Sequence, residues 1–333
     1  MKFTWFIGID VSKKTLDIAI RKKDSILKTV KIENSVSVLK SFINELRTEG
    51  IALSDCLFCM EHTGVYCTPM MIHAEKLKLN LWLENATQIK LSIGMQRGKN
   101  DQIDAIRIAE YAARFTDKAR LFEAPREVMK KLRALTVLRK RIQLSLIELQ
   151  TLNKEKDFYT DKNIYSSITK KSVNALKENL LDIEKKIRLL IKSDNKLNDL
   201  FKIVTSVRGI GEVVGVQMII TTNEFKDITC PKKFACYAGV APFEHTSGTS
   251  IKGRPKLSRR ANMNMKSLLH MAALVSMQCN EELKTFYERR VREGKSKMSV
   301  LNMLRNKLIH RVFACVRDNR KYEYIYTKRL LKP

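Results

Sequence analysis

Two aspartates, Asp101 and Asp104, stand three residues apart in the stretch KNDQIDA (residues 99–105). Residues at this spacing share one face of a helix, so their carboxylates repel each other unless a cation lies close. Carboxylate oxygens are the ligands that Mg²⁺ and Mn²⁺ prefer. The pair therefore raises the hypothesis of a metal site. The alternative is that Asp101 caps a helix and Asp104 is a favourable acid in its first turn.

Two further acids end predicted strands. The apolar stretch FTWFIGIDV (residues 3–11) predicts a buried strand with Asp10 at its end, and DCLFCMEH (residues 55–62) predicts a strand with Glu61 at its end. If these strands are neighbours and the helix that begins near Asn100 covers them, four carboxylates converge. Two divalent ions ~3.5–4 Å apart at such a site can drive phosphodiester cleavage. For each acid taken alone, a cap or a pairing with lysine explains the residue equally well.

The elements that must position these acids follow from apolar periodicity. Three consecutive strands suggest an antiparallel meander, and Gly50 is expected to stop the first helix. The order of the elements is typical of a ribonuclease-H-like (RuvC-like) α/β domain. The predicted elements are strands at 3–11, 15–23 and 26–34, a helix at 35–50, a strand at 55–62, a helix at 65–78, a strand at 80–85 and a helix from about Asn100.

The middle of the chain has a different pattern. Apolar residues at steps of three and four run from Val128 to Leu152 and from Val173 to Leu197, with the polar stretch NKEKDFYTDKN between them. This pattern predicts two long helices in an antiparallel hairpin or a dimeric coiled coil, and a helical spacer is an equally open interpretation. We therefore predict an α/β domain at 1–122, a helical middle at 123–200 and a mostly helical domain at 201–333.

Charge points to a polyanionic partner. The 333 residues contain 63 Lys plus Arg against 35 Asp plus Glu, a formal net charge of +28. Counted along the sequence, residues 1–120 carry +5, residues 121–200 carry +7 and residues 201–333 carry +16. DNA or RNA is the leading candidate, although a basic surface can also be merely solvated. The acids and most of the cations thus lie in different regions.

Two features of the last region suit nucleic-acid phosphates. The turn Arg208-Gly209-Ile210-Gly211 between two predicted helices fits a helix–hairpin–helix, and the free N–H groups of the second helix could meet a phosphate. Glycine turns between helices are also common without such a role. Downstream, a polar, glycine-containing loop leads into a long helix, and its few aromatic residues favour contacts to the backbone of the nucleic acid. The basic residues of this loop are Lys252, Arg254, Lys256, Arg259 and Arg260.

The sequence does not support a membrane protein, a secreted protein or a zinc-binding protein. No apolar run approaches the ~20 residues of a membrane span, and the N-terminus lacks the pattern of a signal peptide. The seven cysteines are scattered, and Cys56-x-x-Cys59 lacks the second pair of a zinc site. Buried thiols in a reducing cytosol are the expected interpretation. We expect a cytoplasmic, nucleoid-associated bacterial protein.

Five stretches resemble a known family. GIDVSKKTLDIAI, MEHTGVY and KNDQIDAIRIAEYA resemble the DEDD motifs of transposases of insertion-sequence family one hundred and ten, relatives of Piv-type DNA invertases. VTSVRGIGEVVG and FACYAGVAPFEHTSGTSIKGRPKLSRRANMNMKSLLHMAA resemble the C-terminal transposase domain of that family. The resemblance covers nearly the whole chain. One departure is Ala261, where many members have glycine after a Lys-Arg pair.

The resemblance implies more than the residues alone. It implies a RuvC-like nuclease domain with Mg²⁺ or Mn²⁺ held by the four carboxylates, a coiled-coil domain and a transposase domain. It also implies a serine nucleophile, which matches Ser247, and a bridge RNA that pairs with donor and target DNA. A homo-oligomer, a dimer or a tetramer, is expected because recombination exchanges several strands.

From the residues alone, Ser247 is an ordinary loop serine. Ser250 and Ser258 are local competitors, and no histidine stands in an obvious base position, although His245 is nearby. A hydroxyl needs such a base, or a metal, to become a good nucleophile. The basic residues at 252–260 could stabilise charge on a phosphate in transfer.

Three alternatives to a guided recombinase stay open. A hydrolytic nuclease, such as a junction resolvase, would use the carboxylates with water as the nucleophile. An actin-like ATPase would explain IGIDVSKKTLDIAI, but no second phosphate loop or adenosine motif is evident. A non-catalytic nucleic-acid binder would rest on charge alone.

Overall fold

The computed structural model describes residues 3–23, 25–92, 101–154, 164–247, 251–257 and 261–323. The chain divides into two compact units, Met1–Ala124 and Pro125–Pro333. The first unit is mixed α/β, and the second is mostly helical.

The first unit is built on a five-stranded sheet in the order β3-β2-β1-β4-β5. The first three strands are antiparallel, and β1, β4 and β5 run parallel to one another. Every predicted strand and helix is present in the predicted order, and α3 is an additional short helix. The elements are β1 Trp5–Val11, β2 Thr15–Lys22, β3 Ser25–Glu33, α1 Val36–Thr48, β4 Cys56–Glu61, α2 Thr68–Leu77, β5 Asn80–Glu84, α3 Ala86–Ser92 and α4 Asp101–Arg114.

Local sequence sets the ends of α1. The Ser35 side chain accepts a hydrogen bond from the Val38 N–H, which satisfies one of the free donors at the start of the helix. Gly50, at φ +78°, adopts the left-handed conformation that glycine tolerates best, so the predicted stop is confirmed. Helices cover both faces of the sheet: α1 and α2 on one face, α4 on the other.

A backbone-to-backbone contact seats α4 on the sheet. A Cβ atom placed on Gly8 of β1 would lie 2.3 Å from the Ala105 carbonyl oxygen and 2.3 Å from the Ala109 nitrogen. Ala105 and Ala109 are fully buried, and alanine carries only a methyl group. Neither side of this contact therefore has a bulky side chain. The small residues at 8, 105 and 109 therefore fix how closely α4 approaches β1.

The second unit has one continuous apolar core, to which residues from Met129 to Cys315 contribute. Its elements are α5 Glu127–Lys154, α6 Ile164–Lys192, α7 Asn195–Thr205, α8 Glu212–Thr222, α9 Pro231–Tyr237, β6 Pro242–Ser247, β7 Ile251–Leu257, α10 Met263–Cys279, α11 Glu281–Arg292 and α12 Lys297–Arg317. The predicted middle helices share this core with the C-terminal helices.

The two long helices α5 and α6 run antiparallel. Arg126, just before α5, pairs with Asp194 beyond the end of α6 at 2.7 Å, and Arg139 pairs with Glu184 at 2.6 Å. A later residue of α5 thus pairs with an earlier residue of α6, which is the pattern of antiparallel helices. Residues 155–163, most of the predicted polar turn, lie outside the described residues. A dimeric coiled coil stays a prediction.

The prediction of a loop before α10 is wrong in part, because β6 and β7 form an antiparallel hairpin. Ser247 is paired with Ile251 and Pro242 with Leu257, with a register shift between Phe243 and His245. Backbone pairing of the two segments satisfies the N–H and C=O groups that a loop would leave to water. Residues 248–250, at the turn, lie outside the described residues.

Replacement of Gly8 by alanine tests the close approach of α4. The added Cβ would clash with helix backbone, so we expect the free energy of unfolding of the first unit to fall by about 3 kcal/mol. Urea unfolding followed by tryptophan fluorescence measures it, because Trp5 and Trp82 are the two tryptophans of the chain. Gly50→Ala is the control: nothing lies within 4 Å, and only left-handed strain of about 1 kcal/mol is expected. Equal losses in both variants would contradict the contact.

Candidate active site

Asp10 and Glu61 lie at the same edge of the sheet. β1 and β4 are parallel neighbours, and Ile9 is paired with Met60. The next residues along the two strands are Asp10 and Glu61, so the register puts them side by side. Both side chains are partly buried. The neighbour relation that the sequence predicted for the two strands is therefore present.

The first turn of α4 supplies the other two acids, Asp101 and Asp104. The contact between Gly8 and the α4 backbone lies two residues before Asp10 on β1. It holds the start of α4 over the ends of the central strands. Asp104 is partly buried, whereas Asp101 is exposed.

The pKa of Asp10 shows that the four carboxylates affect one another. This pKa is raised from 3.8 to about 6, and burial is the largest cause. The negative charges of Glu61, Asp104 and Asp101 contribute to the same rise, in decreasing order. The pKa of Glu61 is raised as well, first by burial and then by Asp104. The site thus concentrates negative charge at the cost of stability.

Cations partly offset this charge. Arg107 Nη1 lies 2.7 Å from Asp104 Oδ1, one turn along α4. Lys31 Nζ lies 3.9 Å from Asp101 Oδ2. Among the described residues, no three His, Cys, Asp or Glu side chains are arranged closely enough to hold a metal ion as they stand. The carboxylates are therefore gathered, but not closed around a coordination position.

Two further acids, Asp17 and Glu84, were not predicted from the sequence. Asp17 is the partner of Asp10 across β1 and β2, and Glu84 is the partner of Glu61 across β4 and β5. Glu84 accepts hydrogen bonds from the Tyr111 hydroxyl at 3.2 Å and from the Asn85 N–H at 2.7 Å. The signal was present in the predicted strands, since directly opposed residues share a face of a sheet. Using that signal requires the strand register, which the sequence did not provide.

Cys56 and Cys59 are free, and both are fully buried in β4. Burial raises the pKa of Cys56 to about 12 and that of Cys59 further, so both stay neutral thiols. The interpretation as buried thiols is confirmed.

Ser247 is the last residue of β6, in the second unit. Lys252, Arg254 and Lys256 are alternate residues of β7. Arg259 and Arg260 lie outside the described residues, as do the competing serines Ser250 and Ser258. That Ser247 meets the carboxylates stays a prediction.

Ala261, the residue that departs from the family pattern, is the first described residue after the gap at 258–260. A Cβ on Gly239, which has φ +63°, would lie 2.4 Å from the Ala261 Cβ. Gly239 thus provides the room that the larger residue at 261 needs. Asn262 then caps α10 and donates to the Tyr237 hydroxyl at 2.6 Å.

The predicted phosphate turn joins α7 to α8. Gly209, at φ +97°, packs against Ser276 of α10, where a Cβ would lie 2.6 Å from the serine Cβ. Gly211 is the N-cap of α8, and Arg208 is exposed and donates to the Cys279 carbonyl at 3.2 Å. A carboxylate, Glu212, already occupies the first turn of α8, so contact with a phosphate there stays a prediction.

Two family models match this chain. The model described as "Transposase IS116/IS110/IS902 family" matches residues 201–288, and the IS110 DEDD model, described as "Transposase", matches residues 7–152. Together they cover more than two thirds of the chain. The first includes Ser247, and the second includes all four carboxylates.

Relatives extend this similarity along the chain. The "Pilin gene-inverting protein" of Moraxella bovis is 24% identical over 322 residues, which is 96% of this chain and 97% of the relative. The protein of the same name from Moraxella lacunata is equally similar. The "Insertion element IS110 uncharacterized 43.6 kDa protein" of Streptomyces coelicolor is 28% identical over 46% of this chain and 36% of its own length.

Within the described parts of the chain, no helix has both the length and the apolar character that crossing a membrane requires.

Replacement of Asp10 by asparagine tests the electrostatic cost of the site. An acid whose folded pKa, about 6, exceeds its unfolded value of 3.8 keeps its proton longer in the folded state. Stability therefore falls as pH rises through this window and stays lower above it. In EDTA, we expect Asp10→Asn to be more stable than wild type by about 1–2 kcal/mol at pH 7, with the difference vanishing near pH 4. Urea unfolding at both pH values measures it.

Asp117→Asn is the control for removal of one aspartate from the same unit, outside the site. A gain in both variants, or a gain for Asp10→Asn that does not depend on pH, would contradict the electrostatic coupling.

Proposed function

Because this chain belongs to the IS116/IS110/IS902 transposase family and is a DNA recombinase, we propose that it cuts and rejoins DNA strands at a divalent-metal site formed by Asp10, Glu61, Asp101 and Asp104. The observation that carries this proposal is the placement of Asp10 and Glu61 on adjacent parallel strands under the first turn of α4. Recombination includes transposition and also inversion, the activity in the names of the Moraxella relatives.

The residues present fit a hard divalent cation. The candidate ligands are all carboxylates, which suits Mg²⁺ or Mn²⁺, and one oxygen of a further carboxylate, Oδ1 of buried Asp17, has no hydrogen-bond partner among the described residues. When bound, such an ion would supply Lewis-acid stabilisation of charge on the phosphodiester. The acids themselves contribute the charge that attracts it, and β1, β4 and α4 contribute their fixed positions.

Ser247 is the proposed nucleophile. Its Oγ would attack the DNA phosphorus and form a serine–phosphate ester, while the displaced sugar hydroxyl leaves with a proton. Attack of a second DNA hydroxyl on the same ester would release the serine and rejoin the strands, so no external energy source is needed. The position of Ser247 at the end of a hairpin, next to an alternating row of cations in β7, supports this assignment.

Nucleic-acid binding is assigned mainly to the second unit. The excess of cations in residues 201–333 supports binding of phosphates by the turn at Arg208 and by the β7 hairpin. Following the family resemblance, we propose that a structured bridge RNA reads donor and target sequences by base pairing. The protein would then recognise backbone and shape.

The finer architecture is part of the same proposal. The first unit is assigned a RuvC-like, ribonuclease-H-like fold on its element order and its sheet order. The antiparallel α5 and α6 are assigned to a coiled coil that joins copies into a dimer or tetramer. Exposed apolar side chains along both helices support this: Val137, Leu138, Leu144, Ile147, Ile168, Leu181 and Leu189.

Ser247→Ala tests the nucleophile. We expect wild type with Mg²⁺ to form a covalent protein–DNA adduct on donor DNA, and the variant to form none, because no ester can form at alanine. Denaturing gels with end-labelled DNA measure the adduct. Ser250→Ala is the matched control and should retain it.

The same gels separate a recombinase from a hydrolytic nuclease. Cleavage by Ser247→Ala without an adduct would show that water is the nucleophile. An adduct that persists in Ser247→Ala would assign the ester to another residue. Asp10→Asn is expected to lose both cleavage and adduct by at least 100-fold, since the carboxylates act before the ester forms.

Removal of RNA tests guidance. The purified protein is treated with ribonuclease and then supplied with RNA transcribed from the noncoding DNA that flanks its gene. We expect recombination of a donor–target pair to be lost and then restored, because base pairing would choose the sites. Quantitative PCR of the joined products measures it. Full recombination after ribonuclease treatment would contradict guidance.

A further inference from the structure

One charged residue from each strand lies at the same level of the five-stranded sheet. The register pairs Lys31 of β3 with Asp17 of β2, Asp17 with Asp10 of β1, and Glu61 of β4 with Glu84 of β5. Asp10 and Glu61 are the next residues after the paired Ile9 and Met60. Cross-strand neighbours share one face. The row therefore places four acids and one lysine on the face of the sheet that α4 covers.

Asp17 is the most buried acid of this row. Its relative exposure is 3%, and its Oδ1 has no hydrogen-bond partner among the described residues. Its Oδ2 lies 3.3 Å from Lys31 Nζ. A buried carboxylate with one free oxygen is costly to keep for structure alone, because desolvation is only partly offset. The free oxygen lies in the strand next to Asp10.

Lys31 connects Asp17 to the first turn of α4. Its Nζ lies 3.3 Å from Asp17 and 3.9 Å from Asp101 Oδ2. The lysine side chain is about half exposed, at 51%, so its ammonium group can move away from Asp101 into solvent without breaking the core. One mobile cation is thus shared between a buried acid and a predicted metal ligand.

We propose that Asp17 is a fifth acidic residue of the site and that Lys31 is its resident counter-cation, which leaves Asp101 when a divalent cation binds. The metal assignment in this proposal rests on the proposed function. Asp17 and Lys31 are positioning residues: one adds negative charge beside Asp10, and the other neutralises the cluster while no divalent cation is bound.

The two residues of this ion pair should have opposite effects on metal affinity. Replacement of Asp17 by asparagine removes a negative charge and leaves Lys31 with Asp101 as its remaining acidic partner, so the divalent cation meets less attraction and more competition. Replacement of Lys31 by methionine keeps an apolar stem of similar length but removes the competing cation. A pair that only stabilises the fold would change stability and leave metal affinity unaltered.

The test is Mn²⁺ binding to the full chain, measured by isothermal titration calorimetry and by electron paramagnetic resonance of free Mn²⁺. We expect Asp17→Asn to weaken binding about tenfold, in the range for residues that support metal ligands. Lys31→Met should tighten binding several-fold, and the double variant should return toward wild type. Tryptophan fluorescence checks that each variant is folded.

Lys28→Met is the matched control. Lys28 lies on the same strand and forms an ion pair of 2.8 Å with Glu49, away from the row. Its replacement should leave Mn²⁺ affinity unchanged. If Asp17→Asn fails to fold, Lys31→Met decides the matter, because Lys31 is half exposed.

Two failures are distinguishable. If wild type binds Mn²⁺ and Asp10→Asn does not, but Lys31→Met and Asp17→Asn match wild type, the proposed metal site stands and the role of Asp17 and Lys31 is wrong. If wild type binds Mn²⁺ no better than Asp10→Asn, the metal assignment of the proposed function falls, and this inference falls with it.

Discussion

The active-site geometry depends on one contact, the close approach of α4 to β1 at Gly8. Without side-chain atoms between them, the backbones of Gly8, Ala105 and Ala109 come near enough for the first turn of α4 to lie over the ends of the central strands. Any larger residue at these places would lift the helix, and Asp101 and Asp104 with it. The packing of three small residues thus converts acids distant in sequence into one electrostatic unit.

That unit is destabilising by itself. The raised pKa values of Asp10 and Glu61 show that the fold keeps carboxylates ionised less readily than water does. Perturbed carboxylates of this kind cluster at functional sites, and the divalent cation of the proposed function would neutralise them here. Lys31 pairs with Asp101 and Arg107 pairs with Asp104, which partly offsets the repulsion among the carboxylates.

The second unit differs from the first in the distribution of its apolar and charged residues. Its core is apolar and continuous, and the sequence of residues 201–333 carries most of the excess positive charge. Gly239 packs against Ala261, and the absence of a side chain at 239 leaves room for the alanine methyl group. The four acids and most of the excess cations are thus separated along the chain.

Much of this protein is determined by sequence alone. Periodicity located every strand of the first unit and its helices other than α3, and residue type pointed to Asp10, Glu61, Asp101 and Asp104, because burial pattern and charge are local properties. Only the tertiary structure decided that Asp17 and Glu84 join them, since that depends on strand register, which no single segment encodes. It also decided that the segment before α10 is a hairpin and that Gly8 sets the distance of α4, because pairing and close packing exist only between segments remote in sequence.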